Sequence, residues 1–326
     1  SLRRLDVGGG IESGLAIVVL AIALDRLSQA VAKITPYQNN VLTFRKLLLA
    51  IGGIVLLTYL AGQQWAWIQH YPKDWLLSLG NQWSDWLAYI NQNYYDELET
   101  FKYFILLNLM LPLKNLLLSI PWVIVVTGLG LLGLRLGGAK LMLACVSLSL
   151  MIATTGLWTE AIISVYLCGV AIFISALIGL PLGIFAYNRG RLWQVVQVVI
   201  DTLQTLPTFV YLIPVVMLFQ IGDFSAVIAI VAYAVAPMVR YVAHGFQQVN
   251  HQMVEAGIVS GCTPWQLLWK VKIRLALPEI LLGLNQTILL ALSMLVITAL
   301  VGTKDLGQET YIALTKADTG RGLVAG

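Results

Sequence analysis

Between Val254 and Ile280 the chain reads VEAGIVSGCTPWQLLWKVKIRLALPEI, which sets Glu255, Lys270, Lys272 and Arg274 among apolar and aromatic residues. The chemistry these residues could do is recognition. Glu255, Ala256, Gly257 and Gly261 precede the run Trp265, Leu268, Trp269 and Lys272. That order predicts a short helix, a turn permitted by glycine, and a second helix with an apolar ridge left in the open. A partner's groove accepts such a ridge while the flanking charges fix its register. A helix lying on the membrane surface would use Trp265 and Trp269 equally well.

A second set of polar residues lies inside apolar segments. Asp201, Gln204, Thr205, Pro207, Thr208, Tyr211 and Pro214 share one run, and Asn285, Gln286, Thr287 and Ser293 share another. Polar groups at membrane depth face protein or a water-filled cavity, and two prolines break the helical ladder of the first run. These residues are therefore candidates for lining a solute path. Hydrogen bonding between neighbouring helices is the alternative use.

Catalytic chemistry finds no support. His70, His244 and His251 are scattered, no Ser, Cys, Asp and His grouping shares a segment, and GxxxxGK[ST] is absent. Cys145, Cys168 and Cys262 have neither disulfide nor zinc spacing and read as small buried hydrophobes. Glu160 reads as a solvated charge at a helix boundary.

The elements that must position these residues are membrane helices. Hydrophobic residues make up 59% of the chain and charged residues 11%, with mean hydropathy +0.82. No ten-residue alternation suggests a barrel, so the class is an all-α polytopic membrane protein. Nucleic acid is not indicated by a net charge of +4. Apolar runs at 14–34, 45–62, 120–136, 140–157, 159–187, 194–219, 224–243 and 277–301 give about eight crossings. If the 244–276 loop is cytoplasmic, alternation puts Arg189 and Arg191, Arg135 and Lys140, and Lys33, Arg45 and Lys46 on the same side, as the positive-inside rule requires. The 63–118 segment is then external. Leu76, Leu79, Trp83, Trp86 and Ile90 have helical spacing there, which fits an amphipathic interfacial helix better than an aromatic cage for a cation.

The tail LTKADTGRGLVAG echoes the head LRRLDVGGGIESG, with Asp318 matching Asp6 and Gly320, Gly322 and Gly326 matching Gly8, Gly10 and Gly14. The head copy leads into an apolar helix. This predicts a tandem architecture extending beyond both ends: 1–35 as the last helix of a preceding module, 36–119 as linker, one crossing and the external amphipathic segment, and 120–326 as the core.

The Glu255-Ala256-Gly257 order with Gly261 and the basic, apolar helix after it resembles the EAA loop of membrane subunits of ABC importers. More narrowly, DTLQTLPTFVYLIPVVMLF (201–219), LNQTILLALSMLVITALVG (284–302), DLGQE (305–309) and LRRLDVGGGIESGLAIVVLAIALDR (2–26) resemble the permease of glycine betaine and proline-type osmoprotectant importers. The resemblance covers 158–326 and the head. It implies a type I ABC importer permease core whose coupling helix docks onto ABC ATPase subunits. It also implies an extracytoplasmic solute-binding protein, a second permease module, and lipid around the helices in a bacterial inner membrane. ATP and Mg would sit on the ATPase, with no cofactor on this chain. The solute implied is glycine betaine, proline betaine, choline or a relative. Two departures stand out: Gly257 replaces alanine, and Ile273 and Arg274 replace an apolar residue and proline, so the coupling helix could run on. An amino-acid importer of the same superfamily and an ion-gradient-driven secondary transporter are the rival readings, the latter requiring paired ionisable groups at mid-membrane.

Overall fold

The structure, a computed structural model, describes residues 12–14, 16–17, 19–20, 22–24, 26–28, 41–64 and 80–326. It divides into two compact units, Ser1–Asp85 and Trp86–Gly326. In the first, α1 (Val41–Gln64) is a continuous helix whose apolar part, Leu49–Gln63, is shorter than a full crossing. The predicted run 14–34 is helical where it is described and otherwise lies outside the described residues, as do the head echo, Lys33, Leu76 and Leu79. Helix α2 (Gly80–Asn93), which crosses the boundary between the units, covers Trp83, Trp86 and Ile90 of the predicted amphipathic segment.

The second unit contains α3 (Tyr95–Ser119), α4 (Trp122–Thr154), α5 (Trp158–Tyr187), α6 (Gly190–Thr205), α7 (Thr208–Phe219), α8 (Asp223–Gln247), α9 (His251–Val259), α10 (Pro264–Val301), α11 (Leu306–Thr315) and α12 (Thr319–Ala325). Among the described residues five helices are long and apolar enough to cross a membrane, and six if α6 and α7 form one bent span. That differs from about eight because the run 14–34 lies largely outside the described residues, the apolar part of α1 falls short of a crossing, and three features of the second unit shift the count further.

First, α3 is a 25-residue candidate span within the stretch assigned to the exterior. Asp96, Glu97, Glu99 and Lys102 crowd its first turns and hide the apolar run that follows. Second, the runs 120–136 and 140–157 merge into α4, which has a non-helical Gly138 at φ 72°. A Cβ on Gly130 would sit 2.8 Å from Val146 Cγ2, whereas residues at that separation in a straight helix lie about 24 Å apart. The chain therefore doubles back at Gly138, with Arg135 and Lys140 beside the tip and two arms of about 24 Å each. Third, the run 194–219 bends by 94° between α6 and α7. Leu206 precedes Pro207, is pushed into an extended conformation (φ −60°, ψ 130°) and ends α6 there.

The central element is α8, packed between α5 and α10. Small residues let the backbones approach: a Cβ on Gly183 would meet Val242 at 2.7 Å, and one on Gly283 would meet Tyr241 Cβ at 2.8 Å. Tyr166, Leu167, Ile230 and Met294 fill the main core, while Met238, Val242, Phe246, Ala276 and Ile280 form a second cluster toward the α9–α10 end. At the other end, Lys114 Nζ lies 2.8 Å from the Asp223 carboxylate, which stands in the first turn of α8 where the helix dipole favours a negative charge. The turn 302–305 lies at this same end. Asp305 is fully buried, and its carboxylate accepts from the Gln308 amide at 2.9 Å to cap α11. Burial pushes this carboxyl above the usual carboxylate range, against the opposing hydrogen bond from Gln308. Glu160, expected to be solvated, has one carboxylate oxygen enclosed without a hydrogen-bond partner. The start of α11 covers the first turns of α5, the Leu306 amide donating to Ser164 Oγ at 3.0 Å. Asp318 caps α12 through the Arg321 amide at 3.0 Å, so the tail copy of the echo begins a helix.

Candidate functional site

The segment from Asn250 to Lys272 folds as a helical hairpin. Asn250 caps α9 by accepting from the Gln252 amide at 2.9 Å. Past α9, Gly261 adopts φ 80°, a left-handed conformation that suits glycine just after a helix. Thr263 and Gln266 then form a reciprocal capping box, with Pro264 at the first helical position. This Thr-Pro-x-Gln signature is legible in the sequence and locates the start of α10, which the EAA spacing alone does not. Gly257 is the contact between the two arms, since a Cβ there would lie 2.7 Å from Leu267 Cδ1.

The residues of the segment divide into two groups. Trp265 and Trp269 are 68% and 52% exposed, with ring centroids 5.5 Å apart. Ile258 and Val259 are exposed beside the intervening turn, and Ala256 and Gly261 are exposed as well. Glu255 is exposed and lies 3.1 Å from His251 on its own helix. Leu268 and Lys272 instead face the core. Leu268 packs on the Phe246 and Ala276 cluster, and Lys272 Nζ donates to Tyr187 Oη at 3.0 Å and lies over the Tyr187 ring. Those two residues anchor the segment, and the tryptophans form its free ridge. The bond to Tyr187 also places the α5–α6 turn, with Arg189 and Arg191, at the same end as the coupling segment, in accord with the charge distribution.

With Arg274 in place of proline the helix does not stop there: α10 runs for 38 residues from Pro264 to Val301, loosened by a π-helical stretch over Leu267–Lys272, by Pro278, which removes one backbone hydrogen bond, and by a closing 3-10 turn at Ala299–Val301. The ridge and a membrane span are therefore one element.

The candidate path residues assemble less simply. Asp201, Gln204 and Thr208 are half-buried around the α6–α7 bend with Pro207, and Thr205 is exposed. Tyr211 is buried, its hydroxyl 3.7 Å from Met294 Sδ of α10. On α10, Asn285 and Ser293 are exposed and Gln286 is half-buried, whereas Thr287 is fully buried with its hydroxyl donating to the Gly283 carbonyl at 2.9 Å. A helix advances 100° per residue, so Thr287 points away from its polar neighbours into the α8 contact. These four residues do not share one face.

Three further residues complete the polar set. Arg240 on α8 forms an ion pair with Asp201 at 2.6 Å, the two side chains 46% and 45% exposed. One turn on, His244 lies 3.5 Å from Glu279 of α10. Glu279, Gln286 and Ser293 recur every seven residues and so form one stripe along α10. The rest of α8 is packed: Ala236 and Val239 lie against Val196 and Ile200 of α6, and Met238 lies against Gly179 of α5. Arg240 and His244 occupy the sector left open between α6 and α10. The four-residue spacing of Arg240 and His244 and the seven-residue period ending at Ser293 are visible in the sequence, but nothing in it says which sector of α8 stays open. Among the described residues no cluster of three or more His, Cys, Asp or Glu could hold a metal ion.

Residues 179–325, which contain both the coupling hairpin and this polar sector, match the family model for the binding-protein-dependent transport system inner membrane component. The match covers a little under half of the chain. Among curated relatives of these inner membrane components, the trimethylamine N-oxide transport system permease protein TmoV of Ruegeria pomeroyi is 34% identical over 339 residues, covering all of this chain and 50% of the relative. The glycine betaine/proline betaine transport system permease protein ProW of Escherichia coli is 34% identical over 213 residues, 65% of this chain and 60% of the relative. The glycine betaine transport system permease protein OpuAB of Bacillus subtilis is 40% identical over 177 residues, 54% of this chain and 63% of the relative. The chain spans about half the length of the TmoV proteins it matches. With five helices long and apolar enough to cross a membrane among the described residues, the chain has the make-up of a multi-pass membrane protein.

Proposed function

We propose that this chain is the transmembrane permease part of an ATP-driven, binding-protein-dependent importer of a small compatible solute. The observation that carries the reading is the exposed Trp265–Trp269 ridge on the same helix as a candidate membrane span. The ridge, with Glu255, Ala256, Gly257 and Gly261 forming the arm and turn before it, docks onto an ATPase at the cytoplasmic face. ATP and Mg are bound by that subunit. A solute-binding protein delivers solute at the opposite face, and a second permease module supplies the other wall of the path. ATP binding and hydrolysis then change the relative populations of outward- and inward-facing states. The solute is a methylated nitrogen compound: the similar permeases are named for trimethylamine N-oxide, glycine betaine, proline betaine and carnitine. Those names favour this class over amino-acid import. The Asp201–Arg240 pair, whose charges neutralise each other, disfavours an ion-gradient mechanism that needs a free titratable carboxylate at that depth.

The test is ATP hydrolysis by the complete transporter in lipid, with and without betaine-loaded binding protein. Stimulation that disappears in Trp269→Ala, while the permease keeps its unfolding temperature, supports the reading. Solute uptake that follows an ion gradient and ignores ATP refutes it.

A further inference from the structure

We propose that the Asp201–Arg240 pair is a recognition point on the solute path for dipolar molecules of zero net charge, those carrying a cationic nitrogen and an anionic oxygen. The inference rests on the importer reading for its biological setting. Its argument comes from the geometry of α6 and α8.

Arg240 lies seven residues before the end of α8, about 10 Å inside the helix terminus. Charges at that depth are costly unless they are paired and face protein or water. The pair is made, with 2.6 Å between Arg240 Nη2 and Asp201 Oδ1, yet both side chains stay close to half exposed. Packing does not demand it, because the neighbouring sectors of α8 are filled by Val239 against α6 and Met238 against α5. The pair stands on an open sector of α8 between α6 and α10, beside the His244–Glu279 contact and the Gln286 and Ser293 stripe.

An accessible ion pair of this kind discriminates by charge balance. A lone cation that displaces Arg240 from Asp201 leaves the guanidinium unpaired in a partly desolvated site, and a lone anion does the same to the carboxylate. A molecule with both charges replaces both bonds at once: its anionic oxygen accepts from Arg240 and its cationic nitrogen lies against Asp201. No net charge enters the membrane interior. Asp201 sits one turn before the α6–α7 bend, so separation of the pair by solute also frees the end of α6 from α8.

The experiment uses the complete permease–ATPase complex in nanodiscs without binding protein, probed by saturation-transfer NMR with millimolar glycine betaine, trimethylamine N-oxide, choline and propionate. In the wild type, trimethylamine N-oxide should compete with glycine betaine while tenfold excesses of choline or propionate do not. Equal competition by either single ion overturns the proposal, and needs no variant. Arg240→Gln should weaken glycine betaine binding at least tenfold while letting choline bind. Asp201→Asn should weaken glycine betaine equally and admit propionate. If both variants bind glycine betaine within twofold of wild type but unfold at lower temperature, the pair is a structural clasp and the proposal fails. Binding-protein-stimulated ATP hydrolysis, measured on the same wild-type preparation, separates the two ideas: selective binding without stimulation leaves the recognition site standing and removes the importer reading.

Discussion

The hairpin from His251 to Lys272 holds two tryptophans away from the core, whereas the open sector of α8 holds ionic contacts at membrane depth. Each region inverts the usual preference of its surroundings, apolar groups toward water in one and charges within the apolar layer in the other. The first is built from contiguous sequence and needs only local turn chemistry. The second draws Asp201, Arg240 and Glu279 from three helices, and exists only because Gly283 brings α10 against α8 and Ala236 lets α6 pack there. A surface meant for a partner can therefore be local, while a surface meant for a solute requires the whole core.

The largest effect should come from the ridge. Trp265→Ala combined with Trp269→Ala should weaken ATPase association by about 100-fold, roughly 3 kcal/mol, with the unfolding temperature of the permease unchanged because both side chains are exposed. Near-normal association, measured by co-purification from lipid, would assign the ridge to the membrane surface instead. Next in size is Gly257→Leu. Its Cβ would lie 2.7 Å from Leu267 Cδ1, and overpacking of this kind costs about 1–3 kcal/mol. Amide exchange should rise across residues 251–263 and stay unchanged in α8; a rise in both would show that the two regions are mechanically one. For the sector, a double-mutant cycle of Asp201→Asn and Arg240→Gln read by thermal unfolding should give a coupling of about 1 kcal/mol, as expected for a half-exposed pair. Additive effects would mean that the pair contributes no mutual stabilisation.

The smallest effect lies outside both regions, at Asp305. Because burial raises its folded-state pKa, the folded chain holds this proton more tightly than the unfolded chain does. The contribution is complete below the unfolded carboxylate value of about 4 and is lost as pH rises through the folded value. Asp305→Asn retains an acceptor for the Gln308 amide without the charge, so its unfolding temperature should match wild type at low pH and exceed it increasingly toward neutral pH. An asparagine variant less stable than wild type at neutral pH would show that the ionised form is the one the fold selects.

Much of this architecture is legible in the sequence where the cause is local. The glycine turn at Gly261 and the continuation of α10 past Arg274 follow from residue type and spacing. So do the hairpin arms on either side of Gly138, because two apolar runs flank a glycine pair. The candidate span α3 is hidden because its early turns carry the charges of an interfacial segment while its later turns are apolar. Thr287 is misgrouped with Asn285 for a similar reason: composition marks both as polar, and only the contact with α8 determines which faces outward. Arg240 escapes notice because a single arginine in an apolar run gives no hint of its partner, which lies 39 residues earlier on another helix.

The length of α10 has a mechanical consequence. Trp269 and Gln286 stand on one rod, about 26 Å apart at 1.5 Å per residue, with Pro278 between them removing one rung of its hydrogen-bond ladder. If that rod tilts as a rigid body by about 10°, a displacement of roughly 4–5 Å at its outer end reaches the membrane interior with no relay of intermediate contacts. The π-helical stretch over Leu267–Lys272 falls where such a lever is gripped, and its weaker hydrogen-bond ladder sets how much of an applied torque is transmitted and how much is lost as local bending.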